Sequence, residues 1–168
     1  MIPARIAFAA LLVATAHPAA AIDLFTAQGG WTGTGSLATS VERRMQPARC
    51  QVDVKPTDAG GDVSVTGKCA VAVGASNISF RLVRGDGRAV RGAMWSEATD
   101  EILQLAGART ETGVDMTATE PWVVDGVDYE TRVIVREPDA GSFKIQQLAR
   151  MEGEKAWRVI VDMTYRQP

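Results

Sequence analysis

Histidine is almost missing from this sequence. The single copy, His17, falls in an N-terminal stretch with the pattern of a secretory signal peptide. Arg5 supplies a positive start, "IAFAALLVAT" (6–15) an apolar centre, and Ala19 and Ala21 the small residues of an A-x-A-like cleavage site. Cleavage after Ala21 is expected to leave a domain over 22–168 with no imidazole. That excludes a histidine-ligated haem, a zinc site with histidine ligands, and Ser-His or Cys-His catalysis. Long hydrophobic runs are also lacking. The apolar centre of the leader is too short to span a bilayer, and nothing later in the chain is more apolar. No membrane span is expected, and the predicted location is the periplasm or the medium outside the cell. Excess positive charge is lacking too. The whole chain has 18 basic and 20 acidic residues. Losing Arg5 leaves 17 basic residues, a net charge near −3, which argues against a nucleic-acid partner.

Cysteine is scarce but even in number. In an exported chain, Cys50 and Cys69 read as a disulfide. The turn-like "DAGG" (58–61) separates "CQVDVKP" from "DVSVTGKCAV". A two-residue loop at Ala59-Gly60 pairs residues whose numbers sum to 119. This sets Cys50 opposite Cys69 and Val54 opposite Val65.

Period-two alternation of apolar and polar residues is present from Trp31 to Tyr165, and no convincing long helical period interrupts it. Ten strands are predicted, near 30–39, 48–56, 61–73, 77–84, 88–96, 100–107, 112–124, 127–136, 142–151 and 156–166. "IDLFTAQ" reads as a short helical cap, and "SVERRMQPA" as either a helical turn or a strand extension. Asp125-Gly126 is a type I′ turn signal. It pairs Trp122 with Tyr129 and Asp115 with Arg136. "RGDGR" pairs Leu82 with Val90 and Ile78 with Met94, and the turn at Glu152–Ala156 pairs Met151 with Trp157 and Ala149 with Val159. Each register sets apolar residues against apolar ones, as a sheet with one buried face requires. Consecutive hairpins with short loops make an up-and-down meander, and closure into an antiparallel β-barrel removes its two free edges.

The stretch "GGWTGTGSL" (29–37) places Trp31, Gly33 and Gly35 on one side of the first strand. Trp31 there plugs one barrel end, and the two glycines leave room for a neighbour. Gly29-x-Trp31 resembles the G-x-W signature of lipocalins. The longer Gly29-x-Trp31-x-Gly33-x-Gly35 resembles the first strand of nitrobindin-type ten-stranded barrels. Both belong to the calycin-like barrels, and the resemblance implies an apolar or haem-like ligand held inside the barrel. Nitrobindin-type haem ligation uses a histidine near the C-terminus. None is present here, so haem is not carried over and no cofactor is expected. Tyr129, Tyr165 and Met163 are the residues with axial-ligand chemistry.

The predicted inner face includes Ile78, Leu82, Val90, Val114, Val133, Ile145, Val159 and Val161. The ligand-contact candidates are Phe80, Met94, Met116, Trp122, Tyr129, Thr131, Gln147 and Met163. Mostly apolar walls with a few polar groups describe either a small-molecule pocket or a filled core. Trp95 and Trp157, with Trp31 and Trp122, read first as core packing. In "RLVRGDGRAVR" the predicted register sets Arg81 against Arg91 and Arg84 against Arg88. Such a cluster suits an anionic envelope component or an acidic partner, or it is a solvated hairpin paired with neighbouring acids. Glu120, Asp125, Asp128 and Glu130 are oxygen donors of the kind Ca²⁺ takes. Glu120 is expected to point inward, so the four do not converge, and no metal is predicted. No phosphate loop, metal-ligand spacing or nucleophile elbow is present, and no carboxylate pair is singled out for glycoside hydrolysis. The leading expectation is a non-catalytic protein that holds a small hydrophobic or amphipathic ligand. The alternative is a filled barrel that acts in protein interaction or envelope maintenance through its arginine hairpin.

Overall fold

The computed structural model describes residues 23–57, 61–139 and 141–168, with the backbone alone for 137–139. The leader at 1–21, Ile22 of the cap segment and the Ala59-Gly60 turn lie outside the described residues. The described chain is all β and holds no helix. Its strands are β1 (Gly29–Leu37), β2 (Gln46–Pro56), β3 (Asp62–Val71), β4 (Gly74–Arg84), β5 (Ala89–Ser96), β6 (Glu101–Thr110), β7 (Gly113–Ala118), β8 (Trp122–Val124), β9 (Val127–Asp139), β10 (Ser142–Met151) and β11 (Arg158–Arg166).

Ten of them close into an antiparallel barrel. The sheet runs β10-β11-β1-β2-β3-β4-β5-β6-β7-β9, and β9 returns to pair with β10. β1 is the closing strand, held between β2 and β11. The extra strand β8 pairs only with β9. It lies along the edge of β9 that β7 also uses, since β10 occupies the other edge at Tyr129. A single strand over 112–124 was expected here. Pro121 lies in the gap between β7 and β8, has no N–H to offer, and so cannot join a ladder.

Some registers agree with the alternation and others slip. Cys50 pairs with Cys69 and Val54 with Val65, and the two cysteines form a disulfide with both residues buried. Trp122 pairs with Tyr129 across the Asp125-Gly126 turn, where φ is +52° and +79°. Beyond the break at 119–121 the sum falls by two. Asp115 therefore faces Ile134 rather than Arg136, and its ion pair is with Arg132. That guanidinium holds the Asp115 carboxyl below its ordinary value. Glu120, expected to face inward, sits in the same break and is exposed.

The β4–β5 hairpin is offset by two residues from the expected register. Phe80 faces Met94, Leu82 faces Gly92, and Ile78 faces Ser96. The β10–β11 ladder follows the expected sum through Gln147–Val161 and then skips one residue, a β-bulge at Ile160. Leu148 thus faces Val159, and Ala149 faces Arg158 rather than Val159. Met151 has no ladder partner in β11 and does not pair with Trp157. Ile160 takes the buried place expected of Val159.

The barrel end that holds Trp31 is solid. The Trp31 ring lies 4.9 Å from Phe143, and Phe143 stacks on Tyr165 at 4.8 Å. Leu24 and Phe25 close this end from below. The cap segment is a hydrogen-bonded turn rather than a helix. Thr26 N and Ala27 N both donate to the Asp23 carbonyl, and the Asp23 carboxylate accepts from Phe25 N. At 39–43 the chain is likewise a turn, with Arg43 N bonded to the Ser40 carbonyl.

Candidate functional site

The glycines of the opening stretch shape the barrel interior. Gly33 faces Tyr165 and Gly35 faces Met163 across the β1–β11 ladder. A methyl group on Gly33 would lie 2.6 Å from Tyr165 Cε1, and one on Gly35 would run into the Asp162 carbonyl oxygen and lie 3.0 Å from Met163 Cα and Sδ. The tyrosine ring therefore lies across the glycine, a pairing that uses an aromatic face to cover a bare stretch of backbone. Tyr165 and Met163 are thereby drawn inward, where both line a cavity.

This cavity, about 330 Å³ in volume, occupies the end of the barrel opposite Trp31. Its walls come from the end of β1 (Leu37), the end of β3 (Val71), the start of β4 (Ile78), the end of β5 (Met94) and the start of β11 (Val161). Exposed residues of the β3–β4 and β5–β6 turns, Val73, Ala98 and Thr99, form its rim. The lining is mainly apolar. Polar side chains near the mouth are Thr39, Ser76, Ser96, Thr99 and Glu101. Ser76 and Ser96 lie 3.2 Å apart, within hydrogen-bond distance. Glu101 is the one charged lining residue among the described residues.

Five of the eight expected ligand contacts line the cavity: Phe80, Met94, Trp122, Gln147 and Met163. The other three are buried but do not. Met116 belongs to the solid core, with its sulfur near Gly92. Tyr129 packs on Trp122, with ring centroids 6.3 Å apart, and donates its hydroxyl proton to Glu42 at 3.1 Å. Burial and that carboxylate raise the Tyr129 pKa. Thr131 is 2% exposed, and its hydroxyl has no hydrogen-bond partner.

Gln147 is the buried lining residue that carries a side-chain amide. It is 6% exposed, and its side-chain amide makes no hydrogen bond with any described residue, whereas its neighbour Gln146 donates to Asp162. Tyr165, on the deeper wall, has its pKa pushed up to about 12 by burial.

Residues that strand periodicity did not single out also contribute. Leu103, Ile160 and Trp95 line the cavity. For Ile160 the signal is hidden by the bulge, and for Trp95 by its place beside a turn. Trp157 lies outside the barrel, with the Arg150 guanidinium 4.5 Å above its ring.

The arginine hairpin sits at the solid end. Arg81 faces Ala93 and Arg91 faces Val83, so the expected arginine-to-arginine pairs do not form. Arg81 is ion-paired with Asp62. Arg84 binds Asp23 at 2.7 Å and lies 4.3 Å over the Phe25 ring, which fastens the cap turn to the barrel. Arg109 reaches the same aspartate at 3.5 Å. Arg88 donates to the Arg109 carbonyl at 2.8 Å, and Arg91 is exposed. Of the acidic candidates, Glu130 is ion-paired with Arg150 at 2.6 Å, and Asp125 forms the β8–β9 turn.

No helix among the described residues is long and apolar enough to cross a membrane. No protein-family model matches the chain, and no curated protein matches it significantly.

Proposed function

We propose that this chain is an exported, non-catalytic binding protein that holds a small apolar or amphipathic ligand inside a calycin-like barrel, in the manner of lipocalins and nitrobindin-type barrels. The observation that carries this reading is the open cavity of about 330 Å³ at one end of the barrel. It falls in the size range of small-molecule sites, and its walls are apolar with a few polar groups. The Cys50–Cys69 bridge suits an oxidising compartment. The rival reading, a filled barrel that acts through Arg81, Arg84, Arg88 and Arg91, has less behind it. One end of the barrel is hollow, and three of the four guanidinium groups are already engaged within the fold.

Native mass spectrometry of the full chain, purified from the cell envelope in which it is made, tests the proposal. A stoichiometric adduct of a small molecule, released on denaturation, is the expected result. A bare mass, together with no change in tryptophan emission on adding butylbenzene, would overturn it. Trp95 and Trp122 line the cavity and would report such a ligand.

A further inference from the structure

We propose that Gln147 is the ligand-selecting residue of the cavity, and that the ligand is an uncharged molecule with an apolar body and one hydrogen-bonding group, a hydroxyl, carbonyl or amide, that meets the Gln147 side chain. This rests on the binding-protein reading above.

The argument starts from the cost of the residue. A primary amide offers two donors and one carbonyl acceptor. More than nine-tenths of Gln147 is buried, it lines an apolar cavity, and its amide makes no hydrogen bond with a described residue. Buried polar groups are nearly always hydrogen-bonded, and leaving one unsatisfied is unfavourable. Leucine or methionine would fill the position without that cost. The inward sites nearest Gln147 on the paired strands are of that apolar kind: Ile145 on β10, Val133 opposite on β9 and Val161 opposite on β11. The amide is thus a strong neutral donor–acceptor group set among apolar walls, with the buried Tyr165 hydroxyl on the deeper wall. A ligand group that pairs with it gains a hydrogen bond in a poorly solvated place.

Charge on the ligand is disfavoured by what surrounds the amide. Among the described residues no cationic side chain lines the cavity, so a buried anionic head would stay unpaired. The mouth adds to this, because Glu97, Asp100 and Glu101 cluster at the β5–β6 turn and none forms an ion pair among the described residues. A buried cation would find only Glu101 among the lining side chains, and that glutamate is exposed on the rim. A neutral polar group is left as the partner for Gln147.

The test compares butylbenzene, 4-phenylbutan-1-ol and 4-phenylbutanoate at pH 8 by tryptophan titration, in the wild-type chain and in Gln147→Met. The ratio of alcohol to hydrocarbon affinity is the readout, because the difference in hydration of the two probes cancels between the proteins. Loss of a neutral hydrogen bond should shift that ratio by about tenfold against the alcohol, with butylbenzene bound as well or better. The carboxylate should bind the wild type at least about tenfold more weakly than the alcohol. Gln147→Leu is the second variant, with the same expected shift, should the methionine variant fail to fold. A ratio unchanged within about twofold would overturn the role of Gln147 while leaving the cavity reading intact. Wild-type binding of the carboxylate as tight as that of the alcohol would overturn the uncharged class. Failure of all three probes to bind the wild type would overturn the binding-protein reading, and the inference with it.

Discussion

Gly33→Ala tests how the first strand shapes the barrel. The added methyl would lie 2.6 Å and 2.9 Å from two ring carbons of Tyr165 and 3.1 Å from Cys50 Cβ. The ring cannot retreat freely, since its other face is stacked on Phe143 at 4.8 Å. Overpacking of this kind costs about 1–3 kcal/mol. The alanine regains about 0.4–1 kcal/mol by stiffening the unfolded chain, because Gly33 does not need a positive φ. The net expected loss is about 1–2 kcal/mol, read as a lower urea midpoint at constant slope. The decisive measurement is the same substitution in a Tyr165→Leu background. With the ring gone, the loss should shrink to within about 0.5 kcal/mol of zero, a coupling of at least about 1 kcal/mol. Gly35→Ala is the control. Its methyl runs into the Asp162 carbonyl oxygen and meets the Met163 Cα at 3.0 Å, backbone obstacles that Tyr165→Leu does not remove, so its cost should be the same in both backgrounds. Equal costs for Gly33→Ala with and without the tyrosine ring would refute the claim that the glycine makes room for it.

Two further perturbations follow from the packing. The Cys50–Cys69 bridge closes a loop of sequence separation 19, so replacing both cysteines by alanine should cost about 3 kcal/mol on the chain-entropy estimate. A urea midpoint unchanged in the double variant would refute that contribution. Burial raises Tyr165 from its ordinary 10.0 to about 12, so its effect on stability is absent below pH 10, where both states hold the neutral phenol. As pH rises from 10 towards 12 the unfolded chain ionises first, and about 2–3 kcal/mol of stability should be lost. Tyr165→Phe should flatten that alkaline limb in pH-dependent urea unfolding. A limb of equal steepness in the variant would place the titrating group elsewhere.

Much of this architecture is legible in the residues, because period-two alternation fixes which side of a strand faces inward regardless of the partner strand. That is why Phe80, Met94, Gln147 and Met163 are recognisable as inward residues even where the predicted register is wrong by two, as at β4–β5. An error of two exchanges partners and preserves faces. An error of one exchanges faces, and one bulge, at Ile160, is enough to turn Val159 away and Ile160 inward. Ion pairs are more fragile still. Asp115 pairs with Arg132, four residues from the Arg136 that the alternation sets opposite it, and the arginine pairs of the β4–β5 hairpin do not form.

Whether the interior is hollow is a different kind of question, because alternation records how apolar an inward residue is and not how its volume is distributed along the barrel axis. In this chain four bulky groups, Phe25, Trp31, Phe143 and Tyr165, gather at one end in the solid core, while Phe80, Trp95 and Trp122 stand around the cavity. The other end is lined by Ala38, Gly74, Ala75, Ser76, Ser96 and Ala98 as much as by larger residues. Small residues at the mouth cannot meet across a ten-stranded ring, and the space between them stays open. The segregation becomes visible only once the strands are aligned, since the large residues come from the cap, β1, β10 and β11 and are scattered in the sequence. The Gly33–Tyr165 and Gly35–Met163 pairs lie where the two halves meet. Each glycine admits a large side chain from β11 at the depth where the solid core gives way to the cavity, so the opening G-x-W-x-G-x-G stretch both closes the barrel and sets how far its floor rises.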